Sequence, residues 1–192
     1  MGPTRANPRT KSNIQEVLRR AGIQTGTESR LSVSAVIADD PLARDHTLLM
    51  LRRSDPPESL EIPGGGVDIK RVQTHFGKSK RRSETLSEAL RREVREETGL
   101  ELDKILAYLS THEFISQTHK IHTIQLAFFA SVLCPNTVTL SYEHTEYGWL
   151  TKGELLAPET WNQITERSQI ALSSYWELQG RQAAAHRKGY NT

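Results

Sequence analysis

Glu93, Glu96 and Glu97 stand three and four positions apart, a spacing that makes them neighbours on any helix that carries them. Three like charges so placed repel at neutral pH, and a hard divalent cation offsets the repulsion. Magnesium and manganese fit, since such ions take oxygen ligands and bind through a few carboxylates together with substrate phosphates. The helix that must position them is legible from its ends. Thr85-Leu86-Ser87-Glu88 has the form of a capping box and Gly99 that of a left-handed stop, which predicts a helix over Leu86 to Thr98. With Glu93 set at zero on a helical wheel, Glu97 falls at about 40° and Glu96 at about 300°, while Leu86, Leu90 and Val94 fall at about 20°, 60° and 100°. The acids therefore overlap the apolar stripe. Glu88, Arg91, Arg92 and Arg95 occupy the opposite, solvated side.

Glu84, followed by Arg92-Glu93-Val94-Arg95-Glu96-Glu97-Thr98-Gly99-Leu100, resembles the second part of the box of the Nudix hydrolase family, the MutT-like nucleoside diphosphate-X pyrophosphohydrolases. Upstream, Ile62-Pro63-Gly64-Gly65-Gly66-Val67-Asp68 looks like the strand end and glycine turn of the same box. The spacing between the halves departs from the family's. From Gly65 to Glu84 is 84 − 65 = 19 positions where the family has six, so the chain carries 19 − 6 = 13 extra residues.

The resemblance implies an α/β fold, an α/β/α sandwich around a mixed sheet in a single domain, and Mg2+- or Mn2+-dependent cleavage of a phosphoric anhydride. It also implies roles: metal ligation by Gly64, through its carbonyl, and by Glu93, Glu96, Glu97 and Glu143, and catalytic roles for Arg92, Glu93, Glu96 and Glu143. Glu143 stands six residues before Trp149, similar to the late glutamate of family members that clean nucleoside triphosphate pools; Glu146 is its rival. The expected reaction converts a nucleoside triphosphate or nucleotide sugar into a nucleoside monophosphate and a phosphorylated product. Subclass signals for ADP-ribose, dinucleoside polyphosphates and coenzyme A are not reproduced. A non-hydrolytic nucleotide sensor and an RNA 5′-end pyrophosphohydrolase stand as alternatives, and dimers are common among proteins of this resemblance.

The extra residues have a character of their own. Ile69 to Ser83 holds Lys70, Arg71, Lys78, Lys80, Arg81 and Arg82 with no acid. Hanging beside the metal helix as a loop, it can concentrate a polyanionic substrate. Lys78, Lys80, Arg81 and Arg82, with Arg53, are the candidate substrate contacts. Gly77-Lys78-Ser79 is not a P-loop, because Val72 stands where its first glycine belongs and no strand precedes it.

Composition bounds the rest. The chain has 192 residues, 36% of them hydrophobic, enough for one substantial core, and a formal charge of +2 from 25 basic and 23 acidic residues. That balance argues against a globally electrostatic nucleic-acid binder. Cys134 is the single cysteine, so no intramolecular disulfide forms. No apolar run is long enough to span a membrane and no secretory apolar segment is evident near the N-terminus, so a cytoplasmic location is expected. The chain divides into an extension over 1–30 with a short helix at Ile14 to Ala21, a Nudix domain over 31–160 and a C-terminal helix within 161–192. Strands are expected at Leu31–Ala38, Thr47–Arg53, Leu60–Ile62, Ile105–Ile115, Ile121–Leu133 and Tyr147–Leu150, with helices at Lys152–Leu156 and Ser168–Lys188. His75, His112, His119 and His122 lack zinc-site spacing, and Trp149, Trp161 and Trp176 read as packing residues.

Overall fold

A computed structural model describes residues 29–43, 45–73, 79–115 and 121–189. The N-terminal helix expected at Ile14 to Ala21, together with His75, Lys78 and His119, lies outside them. In chain order the elements are β1 (Ser29–Ala38), β2 (Leu48–Arg53), β3 (Leu60–Glu61), β4 (Gly64–Gly66), β5 (Ile69–Gln73), β6 (Ser79–Ser83), α1 (Leu86–Thr98), β7 (Leu102–Ile115), β8 (His122–Val132), β9 (His144–Leu150), α2 (Lys152–Leu156), α3 (Pro158–Trp161) and α4 (Glu166–Gly189).

The main sheet runs β3-β2-β1-β8-β7, with β4 paired to β1 and β9 to β2. It is mixed, because β1 and β8 pair in parallel over ten residues while the other pairs are antiparallel. Strand β1 is buried on both faces, which its run of small and branched residues allows. Val33, Ala35 and Ile37 meet Leu90 and Val94 of α1 on one face. On the other, Val36 and Ala38 share a core with Leu172 and Tyr175 of α4. The expected α/β/α sandwich follows. Trp149 packs on the first core, Trp161 and Trp176 on the second.

Two local features set the site. The capping box of α1 is formed, Thr85 accepting from the Glu88 amide and Glu88 from that of Thr85, and Gly99 closes the helix at φ 67°. The basic insertion is not the loop expected from its composition. β5 and β6 form a separate antiparallel ribbon with Lys70 opposite Arg82, Arg71 opposite Arg81 and Val72 opposite Lys80. Its base is tied where the Glu84 amide donates to the Asp68 carbonyl (2.8 Å) and the Asp68 amide to Glu84 Oε2 (3.2 Å).

Candidate functional site

Two structures converge at the centre of the molecule, the face of α1 and the Pro63–Gly66 turn. Glu97 is buried and Glu93 half-buried, as the overlap with the apolar stripe predicts, while Glu96 is exposed. Arg92 departs from the wheel. Its side chain is only 19% exposed and acts as a hub. Nε donates to Glu84 Oε1 (3.0 Å) and Nη2 to Glu84 Oε2 (3.0 Å) and to the Gly66 carbonyl (2.7 Å). Nη1 donates to Glu96 Oε2 (2.8 Å) and lies 2.9 Å from Glu93 Oε1. A wheel places the Cα; the long guanidinium stem folds back toward carboxylates that the solvent would otherwise hold. These Glu84 bonds raise the guanidinium's pKa further against the opposing effect of burial, so it is a permanent cation.

The glycines give the carboxylates their seats. The Gly64 amide donates to Glu97 Oε2 at 2.8 Å. A Cβ on Gly64 would lie 2.3 Å from the Val33 carbonyl, and one on Gly65 would lie 2.4 Å from the Glu93 carboxyl carbon. At Gly64 the obstacle is the backbone of β1, so the turn lies this close to β1 only through glycine, whereas at Gly65 it is the end of the Glu93 side chain, which a larger residue would push from its place.

The electrostatics are those of a pocket short of positive charge. Burial pushes Glu97 up to about 8; the Gly64 N–H opposes this, and the charges of Glu61, Glu93 and Glu143 add to it. Glu93 is also raised, first by burial and then by Glu96 and Asp68, with Arg92 pulling the other way. Glu143 thus reaches the same site electrostatically. It sits exposed before β9, on a turn whose Glu143 carbonyl accepts from the Ser54 amide (2.9 Å) and hydroxyl (3.0 Å). Glu146 faces elsewhere, paired with Arg52 at 3.1 Å.

Among the candidate substrate contacts, Arg53 is engaged within the protein, with Glu61 at 3.2 Å and Asp55 at 3.6 Å. Lys80, Arg81 and Arg82 lie on β6. Sequence reasoning missed the hub at Glu61, which is buried against Arg53, His144 (3.3 Å) and Arg167. Burial opposes its ionisation, but the His144 hydrogen bond and the charges of Arg167 and Arg53 prevail and hold its carboxyl below the usual range. Nothing in a linear reading links it to Arg167, 106 positions away.

The donors are carboxylate and carbonyl oxygens, which suit a hard divalent cation and not zinc. The surplus negative charge around Glu97 is what such an ion relieves. As the side chains stand, no three His, Cys, Asp or Glu residues among the described ones form a ready cage, because Glu93 and Glu96 turn to Arg92 and Glu97 to Gly64. By donor type and charge the residues fit; binding requires those carboxylates to exchange partners. His122 pairs with Glu113 (3.3 Å) and His112 stacks on Phe114 at 5.8 Å.

A family model described as the NUDIX domain matches residues 28–170. Among solved structures, a MutT NUDIX hydrolase from Burkholderia pseudomallei is 22% identical with a TM-score of 0.57, covering 77% of this chain and 98% of that one. The MutT protein from Methanosarcina mazei Go1 is 26% identical with a TM-score of 0.55, covering 80% and 98%. An Ap4A hydrolase binary complex from C. elegans is 21% identical with a TM-score of 0.57, covering 79% and 98%. These likenesses establish a shared fold. Among curated proteins no sequence matches the chain.

Proposed function

Because the chain belongs to the Nudix family, whose hydrolases act on phosphoric anhydride bonds, we propose that it cleaves the diphosphate of a nucleoside triphosphate or nucleotide sugar with magnesium or manganese. The products are a nucleoside monophosphate and a phosphorylated fragment. One observation carries the reading: a buried, charge-starved Glu97 seated on the glycine turn among the carboxylates of Glu61, Glu93 and Glu143. A solvated charged helix has no reason to bury that acid, since burying an unpaired charge is costly.

Glu93, Glu96 and Glu97, with the Gly64 carbonyl and Glu143, would hold the ion. When bound, it would neutralise diphosphate oxygens and acidify a water nucleophile. Arg92 keeps Glu93 and Glu96 oriented by charge-assisted hydrogen bonds. Whichever of Glu93 and Glu143 is not engaged by the ion would orient the attacking water and accept its proton. The cations on β5 and β6 supply counter-charge to the substrate's outer phosphates.

The test is hydrolysis of a panel of nucleoside triphosphates and nucleotide sugars with and without Mg2+ or Mn2+. Wild type turns over at least one of them in a metal-dependent manner. Glu93→Gln and Glu97→Gln each abolish that turnover while the circular-dichroism spectrum is kept. Full activity in both variants overturns the assignment.

A further inference from the structure

Glu143 differs from the other carboxylates of the proposed site in how it is held. Glu93 and Glu96 turn to Arg92, and Glu97 to the Gly64 amide. The Glu143 side chain is exposed and, among the described residues, makes no hydrogen bond or ion pair. Its backbone therefore aims it, and that backbone is tied in three directions. The Ser141 amide donates to the Glu97 carbonyl (3.1 Å), which fastens the start of the turn to α1. Ser54 donates its amide and its hydroxyl to the Glu143 carbonyl (2.9 and 3.0 Å). The third tie is His144, the next residue, a buried imidazole whose Nε2 lies 3.3 Å from Glu61 Oε1.

Two of these ties end on the same carboxylate. Arg53 precedes Ser54 and donates from Nη1 to Glu61 Oε1 (3.2 Å), and Arg53 stands opposite His144 across β2 and β9. Glu61 is in turn three residues before Gly64, whose amide seats Glu97. From behind, α4 braces it: Arg167 pairs with Glu61 Oε2, and the Ile62 amide donates to the Ser168 hydroxyl (3.2 Å). Buried partners of this kind hold a geometry firmly, because parting them leaves each polar group unsatisfied.

We propose that Glu61 is a positioning residue for the reaction: through His144, and through Arg53 and Ser54, it sets the Glu143 turn in place relative to the glycine turn and the carboxylates of α1. The inference rests on the hydrolase reading above and adds to it how Glu143 is aimed. Both Glu61 oxygens are taken by Arg53, His144 and Arg167, so Glu61 acts through Glu143. Misplacing a reacting group by about 1 Å costs on the order of a hundredfold in rate. A turn released from Glu61 therefore loses kcat.

The experiment is a double-mutant cycle on kcat for the best substrate of wild type with Mg2+, joined to hydrogen exchange of the Ser54 amide, a readout independent of turnover. His144→Leu removes the N–H offered to Glu61. It is expected to lower kcat by about tenfold or more and to speed exchange at Ser54, while the Gly99 amide, which closes α1, keeps its rate. His144→Gln presents an N–H at similar reach and restores most of both. In a Glu143→Gln background His144→Leu lowers kcat no further, because residues that act as a unit are not additive. Where Glu143→Gln leaves no measurable rate, the rescue by His144→Gln and the Ser54 exchange decide. Should His144→Leu fail to fold, Ser54→Ala, which removes one bond to the Glu143 carbonyl, carries the same cycle. Losses that multiply in the double variant, a Glu143→Gln enzyme with full kcat, or unchanged kcat and Ser54 exchange in His144→Leu overturn the positioning role while leaving the hydrolase intact. A wild type that hydrolyses no phosphoric anhydride overturns the hydrolase reading, and this inference with it.

Discussion

At the scale of single residues, Glu61 and Glu97 are buried carboxylates of opposite character. Glu61 is supplied with cations and is held below the usual carboxylate range; Glu97 has one backbone N–H and is pushed up to about 8. Their pH linkages have opposite signs. Because Glu97 binds its proton more tightly folded than unfolded, its contribution to metal-free stability is full below about pH 4.5 and is lost as pH rises toward 8. Glu97→Gln keeps an oxygen to accept from Gly64 and cannot ionise. The metal-free variant is therefore expected to match wild type near pH 5 and to melt higher at pH 8, by about 2–4 °C per kcal/mol recovered. Thermal melts with chelator across that range measure it, and a variant less stable than wild type at pH 8 counts against the buried-charge account. The same substitution is expected to remove activity, so that stability gain and functional loss would come from one atom.

At the scale of elements, the ribbon β5–β6 is the chain's own addition. The register sets Lys70 opposite Arg82 and Arg71 opposite Arg81, and like charges directly opposite cost stability in a sheet. A polyanion bound there would offset that cost. Replacing residues 69–83 with a short turn is expected to raise KM for a nucleoside triphosphate by roughly tenfold at low ionic strength and to shrink the difference as salt screens the charges. Steady-state kinetics at two salt concentrations decide it: an unchanged KM at low salt excludes a substrate role. Helix α1 differs in kind. Its ends are fixed by Thr85, Glu88 and Gly99 within its own sequence, which is why its boundaries are read without the fold.

At the scale of the molecule, Glu61 joins parts that the chain keeps far apart. Arg167 comes from α4, His144 from the start of β9 and Arg53 from the end of β2, so one carboxylate fastens the glycine turn, the Glu143 turn and the terminal helix together. Its depressed pKa contributes stability above about pH 4.5 that is lost as pH falls through the folded value. Arg167→Met leaves Glu61 with two partners and is expected to cost roughly 1–3 kcal/mol near neutral pH and less as Glu61 is protonated. Denaturant melts at pH 4 and 7 read both, and an equal loss at the two values sinks the electrostatic explanation. The sequence by itself determined what depends on neighbours along the chain: the helix and its caps, the three carboxylates on one turn, the glycine turn, and most of the sheet's strands from their alternation. Only the tertiary structure decided that Arg92 is a hub, that Glu146 turns to Arg52, that the insertion is a ribbon, and that Glu61 meets Arg167. Those depend on which strands lie side by side and on where a long side chain finds its partner, distances that spacing along the chain does not encode.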